Sequence, residues 1–146
     1  MIGKRKPVSP DAAAKHAADA ALAERFGELF EQARSAERAL RDAQASHASL
    51  EELHRAGKLL DGALTDVMRA AFAAQRAEIG PRGYDDRIYR RKAHAKPAVH
   101  AWTDEAERLL TLRETHRLTG IPPKPRTDLP DGQHNAPSGV VSNMQA

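Results

Sequence analysis

The stretch LAERFGELFEQARSAERALRDAQASHASLEELHRAGKLLDGALTDVMRAAFAA, residues 22–74, decides the fold of this chain. Its apolar residues recur at alternating steps of four and three, which places one residue per turn on the same side of a helix. We call this stripe the seam. Its larger members are Leu22, Phe26, Leu29, Leu40, Leu50, Leu53, Leu60, Leu64 and Val67. The spacing predicts an all-α, coiled-coil-like protein.

The seam includes His47 and changes phase once there, because two successive steps of three lead from His47 through Leu50 to Leu53. A continuous helix of roughly 100 Å could absorb this change as a stammer. Ser49 and Glu52, however, have the spacing of a capping box, which favours a new helix at this point. We therefore predict a long antiparallel helical hairpin over residues 11–80, with its turn near residues 46–49, and keep the single helix as the alternative.

Proline and glycine delimit the segments around the hairpin. Pro7 and Pro10 oppose helix at the start of the chain, and Gly80 followed by Pro81 ends the second long helix. The sequence predicts an extended basic arm (1–10), a basic linker (81–101), a short third helix capped by Thr103 (102–120) and an extended or disordered proline-rich tail (121–146). Within the long helices, Gly27 predicts the close approach of a neighbouring helix, and Gly57 predicts a thin spot at a crossing or a kink.

The apolar content of 40 % overstates the core, since 28 of these residues are alanines, which bury little area. We therefore expect the chain to gain stability as a homo-oligomer or with a larger protein partner. The absence of cysteine excludes disulfides and thiolate metal sites. Without a signal peptide or a run of about 20 apolar residues, we expect no membrane partner and an intracellular site, or a particle assembled in the cytoplasm.

The net charge of +3 is unevenly distributed. Residues 4–6 carry +3 and residues 82–96 carry +4, so the remainder of the chain carries −4. The second segment predicts contact with nucleic acid or with an acidic partner, because arginine and lysine neutralise phosphates and tyrosine stacks on unpaired bases. The candidate residues are Arg82, Arg87, Arg90, Arg91, Lys92, Lys96, Tyr84 and Tyr89. A segment that is only solvated is the plainer alternative.

The sequence offers no pattern of residues that would indicate catalysis or a cofactor. The seven histidines lack metal-ligand spacing, and no nucleotide-binding or nucleophile motif occurs. Adjacent Glu51 and Glu52 would point in different directions on a helix, and Asp85 and Asp86 lie beside arginines that neutralise them. We therefore predict a non-enzymatic protein without a metal or cofactor.

Rigid helices combined with long, proline-rich, uncharged ends are typical of components of large assemblies. The function we expect from the sequence is a structural or adaptor protein that oligomerises through its seam and attaches to neighbours by its termini, for example a phage head–tail connector or an accessory virion protein. The alternative is a DNA-associated accessory protein, such as a packaging or partition factor, which contacts phosphates through residues 82–96.

Overall fold

The computed structural model describes residues 7–125, and the all-α class is confirmed over this range. The described residues form five α-helices. These are α1 (Pro10–Glu24), α2 (Phe26–Ala45), α3 (Leu50–Ile79), α4 (Arg87–Ala93) and α5 (Pro97–Thr115). A 3-10 turn, Pro81–Tyr84, precedes α4, and a π-helical turn, His116–Gly120, follows α5. Most of the predicted arm and tail lies outside the described residues.

The first predicted helix is divided in two. Ser9 caps α1 by accepting a hydrogen bond from the Ala12 N–H over 3.1 Å, and Pro10 takes the first helical position. The helix is then interrupted at Arg25, two residues before Gly27. The prediction of a close helix approach at Gly27 was wrong, since a Cβ built there would meet no atom within 4 Å.

Residues 46–49 lie between α2 and α3. The Ser49 hydroxyl oxygen accepts a hydrogen bond from the Glu52 N–H over 3.1 Å, as the capping pattern predicts. His47 adopts a left-handed conformation with φ 53° and is exposed, so its assignment to the seam was wrong. A helical residue cannot adopt this φ, and α3 therefore begins afresh at Leu50.

α3 is the central helix, because α1, α2 and α5 all pack against it. Leu29, Leu40, Leu60, Leu64 and Val67 of the seam are buried, whereas Leu22, Phe26 and Leu53 are half-buried and Leu50 is 45 % exposed. Residues of α1, α2, α3 and α5 pack together in one apolar cluster that includes most of the seam. Five of the nine large seam residues are thus buried within one chain. Oligomerisation itself stays a prediction.

Buried alanines and residues of α5 complete the main core, to which the seam contributes few large side chains. Ala70, Ala71 and Ala106 are fully buried, and small side chains let the helix axes approach closely. Leu109 of α5 is 2 % exposed in the same core. Trp102 of α5 meets Phe26 of α2 edge-to-face, with ring centroids 5.0 Å apart. α5 is therefore part of the main core.

The predicted linker over residues 81–101 is helical for most of its length, which corrects the sequence-based assignment. α5 begins at Pro97 rather than at the predicted cap Thr103, whose hydroxyl lies inside the helix and donates to the Val99 carbonyl over 3.0 Å. A second apolar cluster stabilises this region, formed by Ile79, Ala93 and Val99 with Tyr89 against it. Basic composition suggested a solvated linker, but the few apolar residues between the charges are enough to pack it.

Candidate nucleic-acid interface

The two aspartates at the start of the basic segment are engaged in structural contacts. Asp85 accepts hydrogen bonds from the N–H and the hydroxyl of Ser9, both over 3.0 Å. Asp86 caps α4 by accepting from the Tyr89 N–H over 2.9 Å, and it lies 3.5 Å from an Arg82 guanidinium nitrogen. The backbone hydrogen bond from Tyr89 and the charge of Arg82 lower the pKa of Asp86. The sequence predicts that these carboxylates neutralise Arg87, but both are engaged by other groups.

Both candidate tyrosines make contacts within the chain. The Tyr84 hydroxyl donates a hydrogen bond to Asp19 of α1. The Tyr89 ring lies against the second apolar cluster, with the Arg82 guanidinium 5.0 Å and the Lys96 ammonium 5.7 Å from its centroid. Stacking of either tyrosine on a nucleic-acid base would have to break these contacts.

Two of the candidate arginines also stabilise the fold. Arg82 is held by Asp86 and the face of Tyr89. Arg90 is half-buried and donates a hydrogen bond from Nη1 to the Gly83 carbonyl over 2.9 Å. Gly83 is itself buried, and an added Cβ would clash with Ile79 Cγ2.

The remaining candidates form an exposed cationic surface around α4. Arg87 and Arg91 lie four residues apart and thus share one side of the helix, with Lys92 beside them. Lys96 follows between α4 and α5. Within residues 7–125, none of these four side chains has a carboxylate within 4 Å. We call them the basic surface: Arg87, Arg91, Lys92 and Lys96. Ile88 on the same helix is 67 % exposed and adds an apolar element to this side.

A polar cluster lies between α1, α3 and the 3-10 turn. Asp19 accepts hydrogen bonds from Arg76 and Tyr84, while an imidazole nitrogen of His16 lies 3.1 Å from the Ala77 carbonyl oxygen. Burial works to raise the pKa of Asp19, but the hydrogen bonds from Arg76 and Tyr84 outweigh it, so this pKa lies below its ordinary value. Burial and the Asp19 charge together raise the pKa of Tyr84. Sequence reasoning missed this cluster.

A small cavity adjoins the polar cluster. It measures about 40 Å³ and is lined by Arg76, Ile79, Gly83, Tyr84 and Arg90. This volume is large enough for a water molecule but too small for a substrate of metabolite size. Because the hydrogen-bonding groups around it already have partners inside the chain, we assign the cavity and the polar cluster a structural role.

A second polar cluster fixes the residues after α5 onto α3. Arg117 pairs with Asp61 through Nε–Oδ1 at 2.6 Å and Nη2–Oδ2 at 3.3 Å. Rings of His116 and His54 lie 2.8 Å from the Gly57 carbonyl oxygen and 2.7 Å from the Pro122 carbonyl oxygen, respectively. Arg117 lowers the pKa of Asp61 by its hydrogen bond, against the opposing effect of burial. The start of the predicted tail thus packs on α3.

Gly57 makes this contact possible. A Cβ at position 57 would lie 3.1 Å from Pro122 Cδ and 3.3 Å from Ile121 Cα. α3 continues through this position without a break. Of the two sequence-based alternatives for Gly57, the structure has the thin spot and not the kink, although what crosses there is residues 121–122 and not a helix.

Two properties of the described range bear on the class of function. No group of three histidine, aspartate or glutamate residues between positions 7 and 125 is placed to hold a metal ion. No helix in this part of the chain is both long and apolar enough to cross a membrane.

Comparison of the chain with protein-family models, curated proteins and solved structures gave no match.

Proposed function

We propose that this protein is a non-enzymatic helical scaffold that presents the basic surface to the phosphate backbone of nucleic acid. The observation that carries the proposal is the separation of charges in residues 81–96. Asp85, Asp86, Arg82 and Arg90 are engaged in structural contacts, whereas Arg87, Arg91 and Lys92 point to solvent. Cations without acidic neighbours keep their full attraction for phosphates.

A rigid base supports this role. In the arrangement we propose, α1 and α2 run antiparallel to α3 as a hairpin and α5 forms the third member of the bundle. Cross-links such as Asp19–Arg76 and Asp61–Arg117 favour this arrangement. The 3-10 turn and the second apolar cluster then hold α4 at one end of the bundle. A preformed cationic surface loses less conformational entropy on binding than a flexible linker does.

Salt-dependent binding to a random-sequence DNA duplex tests the proposal. In the variant Arg87→Gln, Arg91→Gln, Lys92→Gln, we expect weaker binding and a slope of log K against log [salt] that is smaller by up to about 2.7, since each phosphate contact contributes about 0.9. Arg90 is retained because it stabilises Gly83.

A matched control separates a defined surface from the net charge of the protein. The variant Arg34→Gln, Arg38→Gln, Arg41→Gln removes the same three charges from exposed positions of α2. This variant should retain the wild-type slope. Equal losses in both triple variants would mean that net charge alone drives binding, and an unchanged slope in the α4 variant would refute the proposal.

The second candidate function is a protein–protein adaptor in a larger assembly. It is favoured by large apolar side chains that remain exposed outside the seam, namely Leu59 at 65 % and Leu118 at 84 %. If these residues mediate self-association, light scattering at micromolar concentration should give an oligomer for the wild type and a smaller mass for Leu59→Ser, Leu118→Ser. A monomeric wild type would refute this form of self-association.

Attachment by the C-terminal residues is tested by truncation. The deletion should start after Pro125, because Ile121 and Pro122 pack on Gly57 and belong to the folded body. Under the adaptor hypothesis, the truncated chain keeps its helicity and melting temperature but no longer captures its protein partner. A truncated chain that retains the partner would contradict attachment through residues 126–146.

A further inference from the structure

Helix α4 has an inner and an outer side. On the inner side, Ala93 is buried and the Tyr89 ring packs against the second apolar cluster, while Arg90 is half-buried. The other four residues of the helix are exposed and, at about 100° per residue, fall within an arc of about 140°. We call them the outer strip: Arg87, Ile88, Arg91 and Lys92.

Ile88 is the apolar member of the outer strip, and its side chain is 67 % exposed. Around the helix, Arg87 and Arg91 lie on one side of it and Lys92 lies on the other. Single exposed apolar residues are common on protein surfaces, and what distinguishes Ile88 is this place between cations. Because Tyr89 and Ala93 make the contacts with the second apolar cluster, the apolar surface of Ile88 is left to a bound partner.

We propose that α4 binds in the major groove of duplex DNA, where Ile88 contacts the apolar edges of the bases and the cations beside it contact the phosphates. This inference rests on the proposed function of the basic surface. It deepens that function by naming the partner and by adding an uncharged residue to the site.

The order of side chains across the outer strip matches the order of groups across the groove. The major groove of B-form DNA is about 12 Å wide and admits an α-helix. Phosphates border it on both sides, and the methyl groups of thymine are exposed along its floor. The seven residues of α4 span about 10 Å, the length of about three base pairs. A central apolar side chain with cations on both sides thus faces bases with phosphates on both sides.

Duplex DNA is favoured over the two other nucleic-acid partners. Proteins that bind single strands stack bases on aromatic side chains, but Tyr84 and Tyr89 are engaged with Asp19 and Arg82. The major groove of duplex RNA is too narrow for side chains to read. The major groove of DNA is therefore the surface that suits both the cations and Ile88.

The variant Ile88→Ala tests the contact with the bases. Its affinity for a short duplex of alternating adenine and thymine should fall by about three- to tenfold, because apolar area buried on binding is lost. The slope of log K against log [salt] should stay at the wild-type value, since isoleucine neutralises no phosphate. Ile88→Leu retains the apolar area and should keep most of the affinity. An unchanged affinity in Ile88→Ala, or a changed slope, would refute the contact.

Leu59→Ala is the matched control. Leu59 is 65 % exposed, but it lies on α3 about 30 Å along the helix from Ile79, where α4 packs. This variant should bind the duplex as the wild type does. An equal loss in both variants would mean that exposed apolar residues promote binding without a defined site. Far-ultraviolet circular dichroism should show unchanged helicity in each variant, because both side chains are exposed.

Replacement of thymine by uracil tests the groove. It removes the methyl group from the major groove and leaves the phosphates in place, so the wild type should bind about two- to fourfold more weakly. In Ile88→Ala the same replacement should have little effect, because the contacting side chain is gone. Equal binding of the two duplexes by the wild type would refute the major-groove contact.

The outcomes distinguish this inference from the proposed function. If Arg87→Gln, Arg91→Gln, Lys92→Gln lowers the slope while Ile88→Ala binds as the wild type does, the groove contact is refuted and the proposed function stands. If the triple variant leaves the slope unchanged, the proposed function itself fails. Tighter binding to a single strand of the same length than to the duplex would overturn the choice of partner.

Discussion

Arg76 of α3 and Asp19 of α1 form a two-bond ion pair that ties the first helix to the central one. Arg76 Nε donates to Oδ2 over 2.8 Å, and Nη2 donates to Oδ1 over 3.0 Å. The carboxylate also accepts from Tyr84, so one aspartate connects three elements of the fold. Asp19 retains only 16 % of its side-chain exposure, which makes the pair stronger than the exposed pairs along the outer helix faces.

Removal of the Asp19 carboxylate should destabilise the protein measurably. For Asp19→Ala we expect a loss of about 1–2 kcal/mol in the free energy of unfolding, because hydrogen bonds to a charged group are lost while Arg76 remains partly solvated. Glu37→Ala is the control, since Glu37 pairs with Arg41 on an exposed face, and it should cost about 0.5 kcal/mol or less. Urea denaturation measures both. Equal losses would contradict the linking role of Asp19.

Acid should weaken the fold through Asp19 and Asp61. Both have a pKa below the ordinary aspartate value in the folded chain. As the pH falls, the unfolded chain therefore binds protons before the folded chain does. The stability that these two carboxylates contribute is fully present above about pH 5 and is lost as the pH falls through their lowered pKa. In the variant Asp19→Asn, Asp61→Asn, the urea midpoint should fall less between about pH 7 and about pH 3 than in the wild type. An equal fall would show that other groups govern acid unfolding.

Gly57 and Gly62 should respond in opposite ways to alanine. Nothing lies within 4 Å of a Cβ built at Gly62, so Gly62→Ala should stabilise α3 by about 0.5–1 kcal/mol. At Gly57 the new methyl group would press on Pro122 and Ile121, and the helix-propensity gain should be offset or reversed. Thermal unfolding of the two variants measures the difference. Equal stabilisation would mean that residues 121–122 do not pack on Gly57.

Leu109 should be essential to the main core. It is 2 % exposed, and Leu109→Ala should cost about 2–5 kcal/mol from lost burial and the cavity that remains. Leu112 on the same helix is 45 % exposed, and Leu112→Ala should cost under about 1 kcal/mol. Chemical denaturation of the pair is the measurement. Similar small losses in both variants would show that α5 does not complete the core.

Patterns among neighbouring residues were sufficient to predict the long helices and several of their ends. The period of the seam indicated helix, Ser49 marked the start of α3, and Gly80, with φ 100°, ends α3 where the sequence placed the helix end. These features depend on neighbours within four residues and are therefore readable from the sequence. The break at Arg25 and the helical state of residues 87–93 and 97–101 were not. The latter two segments pack through Ala93 and Val99 against Ile79, and such packing is not a property of neighbouring residues.

The candidate site shows the same division. Composition alone identified residues 82–96 as basic, and it suggested that Asp85 and Asp86 neutralise the neighbouring arginines. Only the tertiary structure supplied Ser9 as the partner of Asp85, since that contact joins residues 76 positions apart. Likewise, only the tertiary structure shows the hydrogen bond from the Tyr84 hydroxyl to Asp19, because no local sequence pattern links these two residues.

The sequence by itself determined that this protein is helical, that α3 begins after Ser49 and ends at Gly80, and which segments are basic, because period, capping and charge are properties of neighbouring residues. The tertiary structure decided that α5 completes the core, that most of the large seam residues are buried or half-buried within one chain, and that Arg87, Arg91 and Lys92 are left to solvent. Those outcomes depend on which distant side chains meet, and the free energy of such contacts is set by three-dimensional packing.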